Sequence, residues 1–391
     1  MLWDGLKWLP YSLLPTPYSP PSLSPMNPQY IMIGGFLGAG KTTTVGRLAR
    51  HYMAQGKRVG IVTNDQTTDL VDTHSLRSQG FEVGEVAGSC FCCNFNALTE
   101  TVEGLGESQL PDVIIAEPVG SCTDLVATVI RPLMQVYGKP LDVSPYGVIL
   151  KPSHGLKILR GDTQRGFSPK AEYIFRKQLE EADFIIINRI DELSPEEVDE
   201  LDALLRAEFP EQPILRVSAR TGEGFEALTE MLDQRGAFGQ RVMEVDYDIY
   251  AEGEAELGWL NSQVNVESGQ AFDLDALLLD IIGRLHERFI GAGAEAAHLK
   301  TIGLCDGSYA VANLISNSTG PELSLASKTM TKSANVVVNA RVATDPTELE
   351  AFVRAEVAAA CQSIGATHEV TSLQSFKPGR PVPTHRINES V

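Results

Sequence analysis

From Gln29 to about Gly236 the chain alternates short apolar runs with amphipathic stretches. The runs Tyr30-Ile31-Met32-Ile33, Arg58 to Thr63, Val113 to Ala116, Gly147 to Leu150, Phe184 to Ile187 and Ile214 to Val217 are dominated by apolar and β-branched side chains. Near-continuous apolar runs of this length predict strands covered on both faces. Thr43 to Gln55 places Val45, Leu48, Ala49 and Tyr52 at helical spacing, and Asp124 to Tyr137, Ala171 to Glu181, Pro195 to Phe209 and Phe225 to Gln234 also predict helices. This rhythm is that of an α/β, doubly wound, mostly parallel sheet, in which ligands collect at the carboxyl ends of the strands.

The pattern changes after Gly236-Ala237-Phe238-Gly239. Strands are expected at Leu257 to Val266, Leu299 to Leu304 continuing to Ile315, Val336 to Ala343 and His368 to Phe376, with helices at Leu274 to Phe289 and Pro346 to Ile364. The order is that of a smaller α+β, ferredoxin-like βαββαβ domain. The expected division is a Pro-rich disordered tail over 1–28, a P-loop domain over 29–236, the α+β domain over 241–376 and a flexible tail over 377–391. Met26, just before the first strand, is the expected true start. The proline-rich, locally basic end could instead be a docking strip.

Composition narrows the function classes. The 391 residues suit two domains. A net charge of −19 without a basic block argues against nucleic acid. Six cysteines in such a length, three of them clustered, read as reduced thiols of a cytoplasmic protein, and no apolar run is long enough for a membrane span.

Gly35 to Thr42 reads G-F-L-G-A-G-K-T, a full match to the phosphate-loop pattern set between a strand and a helix. Gly35, Gly38 and Gly40, with Ala39 and Thr43 beside them, let backbone N–H groups face a phosphate at the helix N-terminus. Lys41 is expected on the β- and γ-phosphates and Thr42 on Mg2+. Asp65 and Glu117 end the next two predicted strands, where a carboxylate can hold Mg2+ or orient water. Glu117 is the stronger candidate because its E-x-x-G continuation frees the backbone. Asn188-Arg189-Ile190-Asp191 resembles the guanine motif N-K-x-D with Arg for Lys, and Ser218-Ala219-Arg220 would offer N–H groups to the base. A carboxylate at Asp191 accepts from guanine N1–H and the N2 amino group, a donor pair adenine lacks.

Cys90, Cys92 and Cys93 form C-x-C-C in the run G-S-C-F-C-C-N. Thiolates are soft ligands for Zn2+ or Co2+, and a site short of four protein ligands can release its ion. His74 is a weak candidate for a fourth ligand, and the isolated Cys122, Cys305 and Cys361 are read as packing residues. A redox thiol pair remains open.

The loop G-G-F-L-G-A-G-K-T-T, the C-x-C-C, the E-x-x-G and the N-R-I-D occur in the order seen in CobW-like GTPases, relatives of the nickel-insertion GTPases of hydrogenase and urease. The resemblance covers about residues 29–236 closely and the rest loosely. It implies slow GTP hydrolysis with Mg2+ by a protein that delivers Zn2+, Co2+ or a similar ion to a client metalloprotein. It assigns Lys41 and Thr42 to the phosphates and Mg2+, Glu117 to hydrolysis, Asn188 and Asp191 to the base, and the three clustered cysteines to the transferred metal. Two alternatives stay open: a redox-sensing GTP-binding switch, and a GTP-driven adaptor for cofactor or corrinoid enzyme assembly. A homodimer is also left open.

Overall fold

A computed structural model describes residues 27–65, 71–106, 110–161, 168–314, 317 and 320–388. Met26, nearly all of the expected N-terminal tail and Ile315 lie outside the described residues. The first part of the chain runs β1 (Gln29–Gly35), α1 (Lys41–Ala54), β2 (Val59–Asn64), α2 (Val71–Ser78), β3 (Glu82–Val86), α3 (Phe95–Gly104) and β4 (Val113–Glu117). There follow α4 (Arg131–Gln135), β5 (Asp142–Val143), β6 (Gly147–Leu150), α5 (Pro152–Leu159), α6 (Pro169–Glu181), β7 (Phe184–Ile187), α7 (Pro195–Glu208), β8 (Ile214–Arg216), α8 (Phe225–Leu232) and α9 (Tyr247–Glu254). The strands form one parallel sheet in the order β3-β2-β4-β1-β6-β7-β8, with the short β5 also on β1. The central strands are buried throughout, as their unbroken apolar runs require.

One helix departs from expectation. Asp124 takes a positive φ of 62°, so the helix expected from Asp124 starts later, as a wide π-helical turn over Val126–Ile130 that passes into α4. The carboxylate of Asp124 is used instead as an acceptor for Tyr247 and Arg386.

The C-terminal domain comprises β9 (Gly258–Asp273), α10 (Leu274–Ala292), β10 (Ala296–Cys305), β11 (Ser308–Leu314), β12 (Glu322–Leu325), β13 (Met330–Val342), α11 (Pro346–Ser363) and β14 (Ala366–Phe376). Its sheet is antiparallel in the order β12-β11-β10-β13-β9-β14. Within it β10-β13-β9-β14, with α10 and α11, make the ferredoxin-like unit, and the β11–β12 strands extend one edge. The strand expected to run on from Leu304 turns back at Asp306-Gly307, both with positive φ (38° and 78°). This is the Asp-Gly pairing that two-residue hairpins favour.

The two sheets meet through Arg341 on β13. Its guanidinium is almost fully buried, lies 4.0 Å from the centre of the Trp259 ring, and donates to both carboxylate oxygens of Asp65 at 2.9 and 2.8 Å. Trp259 itself packs into the core of the parallel-sheet domain. Desolvation of the pair is offset by this two-point geometry and the aromatic face. Arg341→Met is expected to cost about 3 kcal/mol, the low end for losing one partner of a buried pair because Asp65 keeps some water. Urea unfolding of Arg341→Met, Asp65→Asn and the double variant should show strong non-additivity, whereas independent effects would contradict the account.

Candidate functional site

Gly40 caps α1 with φ 96°, and a Cβ there would fall 2.4 Å from Asn188 Nδ2, so only glycine lets the phosphate loop pass under the Asn188 side chain. Lys41 Nζ folds back to donate to Gly35 O at 2.9 Å and Phe36 O at 3.5 Å. Burial lowers the pKa of this ammonium, against the opposing charge of Glu117. Thr42 Oγ1 donates to Glu117 Oε1 at 2.9 Å. The Glu117 carboxyl is pushed up to about 7, first by burial and then by the Asp72 carboxylate, and its buried Oε2 has no hydrogen-bond partner among the described residues. A buried, unpaired carboxylate oxygen beside a threonine hydroxyl suits a hard cation or a bound water, and the Thr42–Glu117 pair fits Mg2+.

The loop opens into a cavity of about 570 Å³ lying between the two sheets. Gly38, Gly40, Lys41, Thr42, Thr43 and Asp65 line it, while Gly35 and Ala39 contribute their carbonyls to Lys41 and Asn188 behind the wall. Sequence reasoning missed four charged or titratable groups here. Lys300 on β10 bonds Asp72 at 2.5 Å, His298 stands beside them, and Arg341 holds Asp65. Burial would raise the Asp72 carboxyl, but Lys300, His298 and the Thr42 hydroxyl outweigh it and hold it near 2. His298 is pushed down to about 3 by burial, with Lys300 adding to the effect.

Further along the cavity, Asn188 Nδ2 donates to Ala39 O at 2.8 Å and its Oδ1 accepts from Ala219 N at 2.9 Å, so one side chain links the phosphate loop to the Ser218-Ala219-Arg220 turn. Ser218 Oγ accepts from Thr221 N and stabilises that turn. Asp191 is paired with Arg220, which also reaches Glu322 of β12 at 3.5 Å. Partial burial would raise the Asp191 carboxyl, and hydrogen bonds from Ser218 and Arg220 bring it below its ordinary value.

The cysteine loop joins β3 to α3. Cys93 N and Asn94 N both donate to Cys90 O, a turn tight enough to bring all three sulfurs together, and Asn94 caps α3. Cys90 Sγ lies 3.0 Å from Cys92 Sγ and 3.1 Å from Cys93 Sγ, and Cys92 and Cys93 are 3.7 Å apart. A tetrahedral ion with Zn–S bonds of about 2.3 Å needs sulfurs roughly 3.8 Å apart, so the triangle needs only a small opening to accept one. His74 is not among the residues that could share this ion. Cys305 and Cys361 are buried against the C-terminal sheet as packing residues. Cys122 is likewise buried, in the core of the parallel-sheet domain. The neighbouring thiols of Cys122, Cys92 and Cys93 bring the Cys90 thiol below its ordinary pKa, while the interaction with Cys90 pushes Cys93 up to about 11.

Asn64, the last residue of β2, ties this loop to the sheet: Nδ2 donates to Val86 O and Ser89 O, and Oδ1 accepts from Phe91 N. The segment after β14 also lies on the loop. Thr384 donates through N to Cys92 O at 2.8 Å and through Oγ1 to Cys93 O at 3.0 Å, His385 meets the Phe95 ring edge-on, and Arg386 pairs with Asp124.

The parallel sheet, the complete phosphate loop and the strand-end carboxylates define a P-loop nucleotide-binding protein. Residues 29–216 match the family described as CobW/HypB/UreG, nucleotide-binding domain, and this part of the chain is such a domain. It is 26% identical over 226 residues to the zinc chaperone CobW of Pseudomonas aeruginosa, a match covering 49% of this chain and 56% of the relative. With the zinc chaperone YeiR of Escherichia coli it shares 28% identity over 171 residues, covering 42% and 47%. The chain thus spans about half the length of these relatives. The Zn(II)-bound YjiA GTPase from E. coli aligns over 85% of this chain and 99% of its own, at 15% identity and a TM-score of 0.34. No helix of the described residues is long and apolar enough to cross a membrane.

The covering segment yields a direct check. Truncation after Phe376 is expected to accelerate alkylation of Cys93 by iodoacetamide without lowering the thermal midpoint by more than a few degrees, and an unchanged rate would show that the Thr384 contacts do not shield the thiol.

Proposed function

We propose that this chain is a GTP-binding and GTP-hydrolysing metallochaperone that takes Zn2+ or Co2+ on Cys90, Cys92 and Cys93 and passes it to a client protein under control of the bound nucleotide. One observation carries the reading. Asn64 ends a strand at the nucleotide cavity and spends its side chain on the loop that presents the three thiols. Whatever orders that strand end also sets the sulfur triangle. The zinc-chaperone relatives support the metal, and the family match supports the nucleotide.

In this reading the N–H groups of the loop from Gly35 to Thr43 cradle the phosphates, and Lys41 leaves Gly35 O and Phe36 O for the β- and γ-oxygens. Mg2+, held by Thr42 with Glu117 beside it, would supply charge neutralisation of the phosphates. Glu117 Oε2, buried and unpaired among the described residues, is placed to hold the attacking water. Asp65 reaches an ion only when Arg341 releases it, which makes the contact between the domains part of the switch. Slow hydrolysis fits the arginines that line the cavity, for Arg341, Arg220 and Arg189 are held in ion pairs and Arg50 donates to Gln79. The base is guanine: Asp191 exchanges Arg220 for the N1–H and N2 donors, with Asn188, Ser218 and Ala219 shaping the slot.

Two variants test the two halves separately. The Cys90→Ser, Cys92→Ser, Cys93→Ser triple variant is expected to lose at least about a hundredfold in Zn2+ affinity against a competing chelator while keeping GTP binding, since all soft donors of the motif are gone. Retained Zn2+ affinity would remove the metal from the proposal. Asp191→Asn is expected to weaken GTP about 10- to 100-fold, the worth of hydrogen bonds to a charged group, and to admit xanthosine triphosphate, whose C2 carbonyl accepts from the new amide. Unchanged GTP affinity would reject guanine readout at this position.

A further inference from the structure

The antiparallel sheet is polar on the face that meets the other domain. Its opposite face is apolar and carries α10 and α11. Register gathers Trp259, Arg341, Asn339, His298, Lys300 and Asn313 on the open face, because Arg341 lies across from Trp259 and His298, and Lys300 across from Asn339 and Asn313. All six line the cavity into which the phosphate loop opens. Covering such polar groups costs free energy unless each finds a partner. Arg341 finds one in Asp65. The Lys300 side chain is 18% exposed and bonds one acceptor among the described residues, Asp72 at 2.5 Å, so an ammonium with three donors keeps two for a ligand. Asn339, cross-strand from Lys300 and buried, borders the same space.

Strand order sets Lys300 over the middle of that cavity. In the parallel sheet, read from β2 through β4, β1, β6 and β7 to β8, Asp65 follows β2, Glu117 ends β4, the phosphate loop follows β1, and Asn188 and Ser218 follow β7 and β8. The antiparallel sheet crosses this row in the order β13-β10-β11-β12. Arg341 of β13 holds Asp65, Lys300 of β10 holds Asp72, and Glu322 of β12 reaches Arg220, the partner of Asp191. Lys300 therefore stands between the Asp65 end and the Asp191 end, the stretch that Glu117 and the phosphate loop occupy. Its charge is felt at both Lys41 and Glu117, in keeping with that place. Asp72, in the first turn of α2, is itself held to the parallel sheet, for the Thr73 hydroxyl next to it bonds the Thr63 hydroxyl of β2 at 2.7 Å.

We propose that Lys300 is a γ-phosphate ligand supplied to the nucleotide site by the C-terminal domain, leaving Asp72 for the terminal oxygens of a bound triphosphate and returning to Asp72 when a diphosphate is bound. The inference rests on the reading of this cavity as a GTP site. Lys41 from the phosphate loop and Lys300 from β10 then flank the terminal phosphate on two sides, where charge must be stabilised as the phosphoryl group transfers. A diphosphate offers Lys300 nothing, so the Asp72 pair closes again. The C-terminal domain thereby reads the number of phosphates, and α2, fixed to β2 beside Asn64, gains or loses its tie to that domain with the nucleotide.

The test is calorimetric titration of the full chain, with Mg2+ present, by a GTP analogue carrying an imido β,γ bridge and by GDP. Lys300→Met should weaken the triphosphate analogue at least about tenfold, the worth of a hydrogen bond between charged groups, and GDP less than about twofold. Single-turnover GTP hydrolysis should slow at least about tenfold in the same variant, and Lys300→Arg should keep most of the preference for the triphosphate. Where Lys300→Met lowers the unfolding midpoint, Lys300→Gln, which still donates to Asp72, takes its place. Asp72→Asn separates a phosphate ligand from a bridge that only joins the domains. It frees Lys300, so the triphosphate affinity should hold or rise, whereas a bridge alone would give the same loss from either side. Equal effects of Lys300→Met on the two nucleotides, or matching losses in Lys300→Met and Asp72→Asn, would overturn the inference and leave the nucleotide site standing. If the unmodified protein binds neither nucleotide, the reading beneath the inference falls and the inference with it.

Discussion

Asn64 stands at the last residue of β2, where a parallel sheet gathers its ligands, and its carboxamide is spent on the end of β3 and the loop that follows it. Three hydrogen bonds of this kind, two of them fully buried, each contribute about 1 kcal/mol, and breaking a buried one leaves a backbone group unsatisfied at about 1–3 kcal/mol. A tenfold coupling between two ligands requires only about 1.4 kcal/mol. The tether is therefore stiff enough to carry the coupling that the proposed function needs. The rest follows from placing that strand end: Asp65 next in the chain reaches the other domain, and the thiols sit one loop away.

The second constraint is that the nucleotide cavity belongs to two sheets. Asp72 and Lys300, Asp65 and Arg341, and Arg220 and Glu322 each cross from the parallel sheet's domain to the antiparallel one. Their worth differs. Arg341 is nearly buried and stacked on Trp259, whereas Arg220 and Glu322 are exposed enough for water and salt to screen them. The Arg341 contact holds the domains in register, and the Arg220 contact is weak enough to give way.

Much of this was readable in the chain. The apolar runs gave the buried strands because both faces of a parallel sheet are covered, and the phosphate loop announced itself by spacing. The C-x-C-C gave three sulfurs that the tight turn at Cys90 does bring together. Lys300 and Arg341 read as ordinary charged positions on strands, and nothing local marks a strand face that packs on another domain. The hairpin at Asp306-Gly307 was different, for its signal was present and the apolar run through Leu304 and Val311 outweighed it. Thr384 and Arg386 lie in a proline-rich segment whose composition carries no information about where its backbone groups bond.

The central claim is that nucleotide state sets metal affinity. The most direct measurement titrates Zn2+ into the reduced protein, with a competing chelator fixing free metal, once with a non-hydrolysable GTP analogue bound and once with GDP. The account predicts affinities that differ by at least about tenfold, a coupling of about 1.4 kcal/mol through the Asn64 contacts. Equal affinities in the two states would contradict it and leave the thiols as a site independent of the nucleotide.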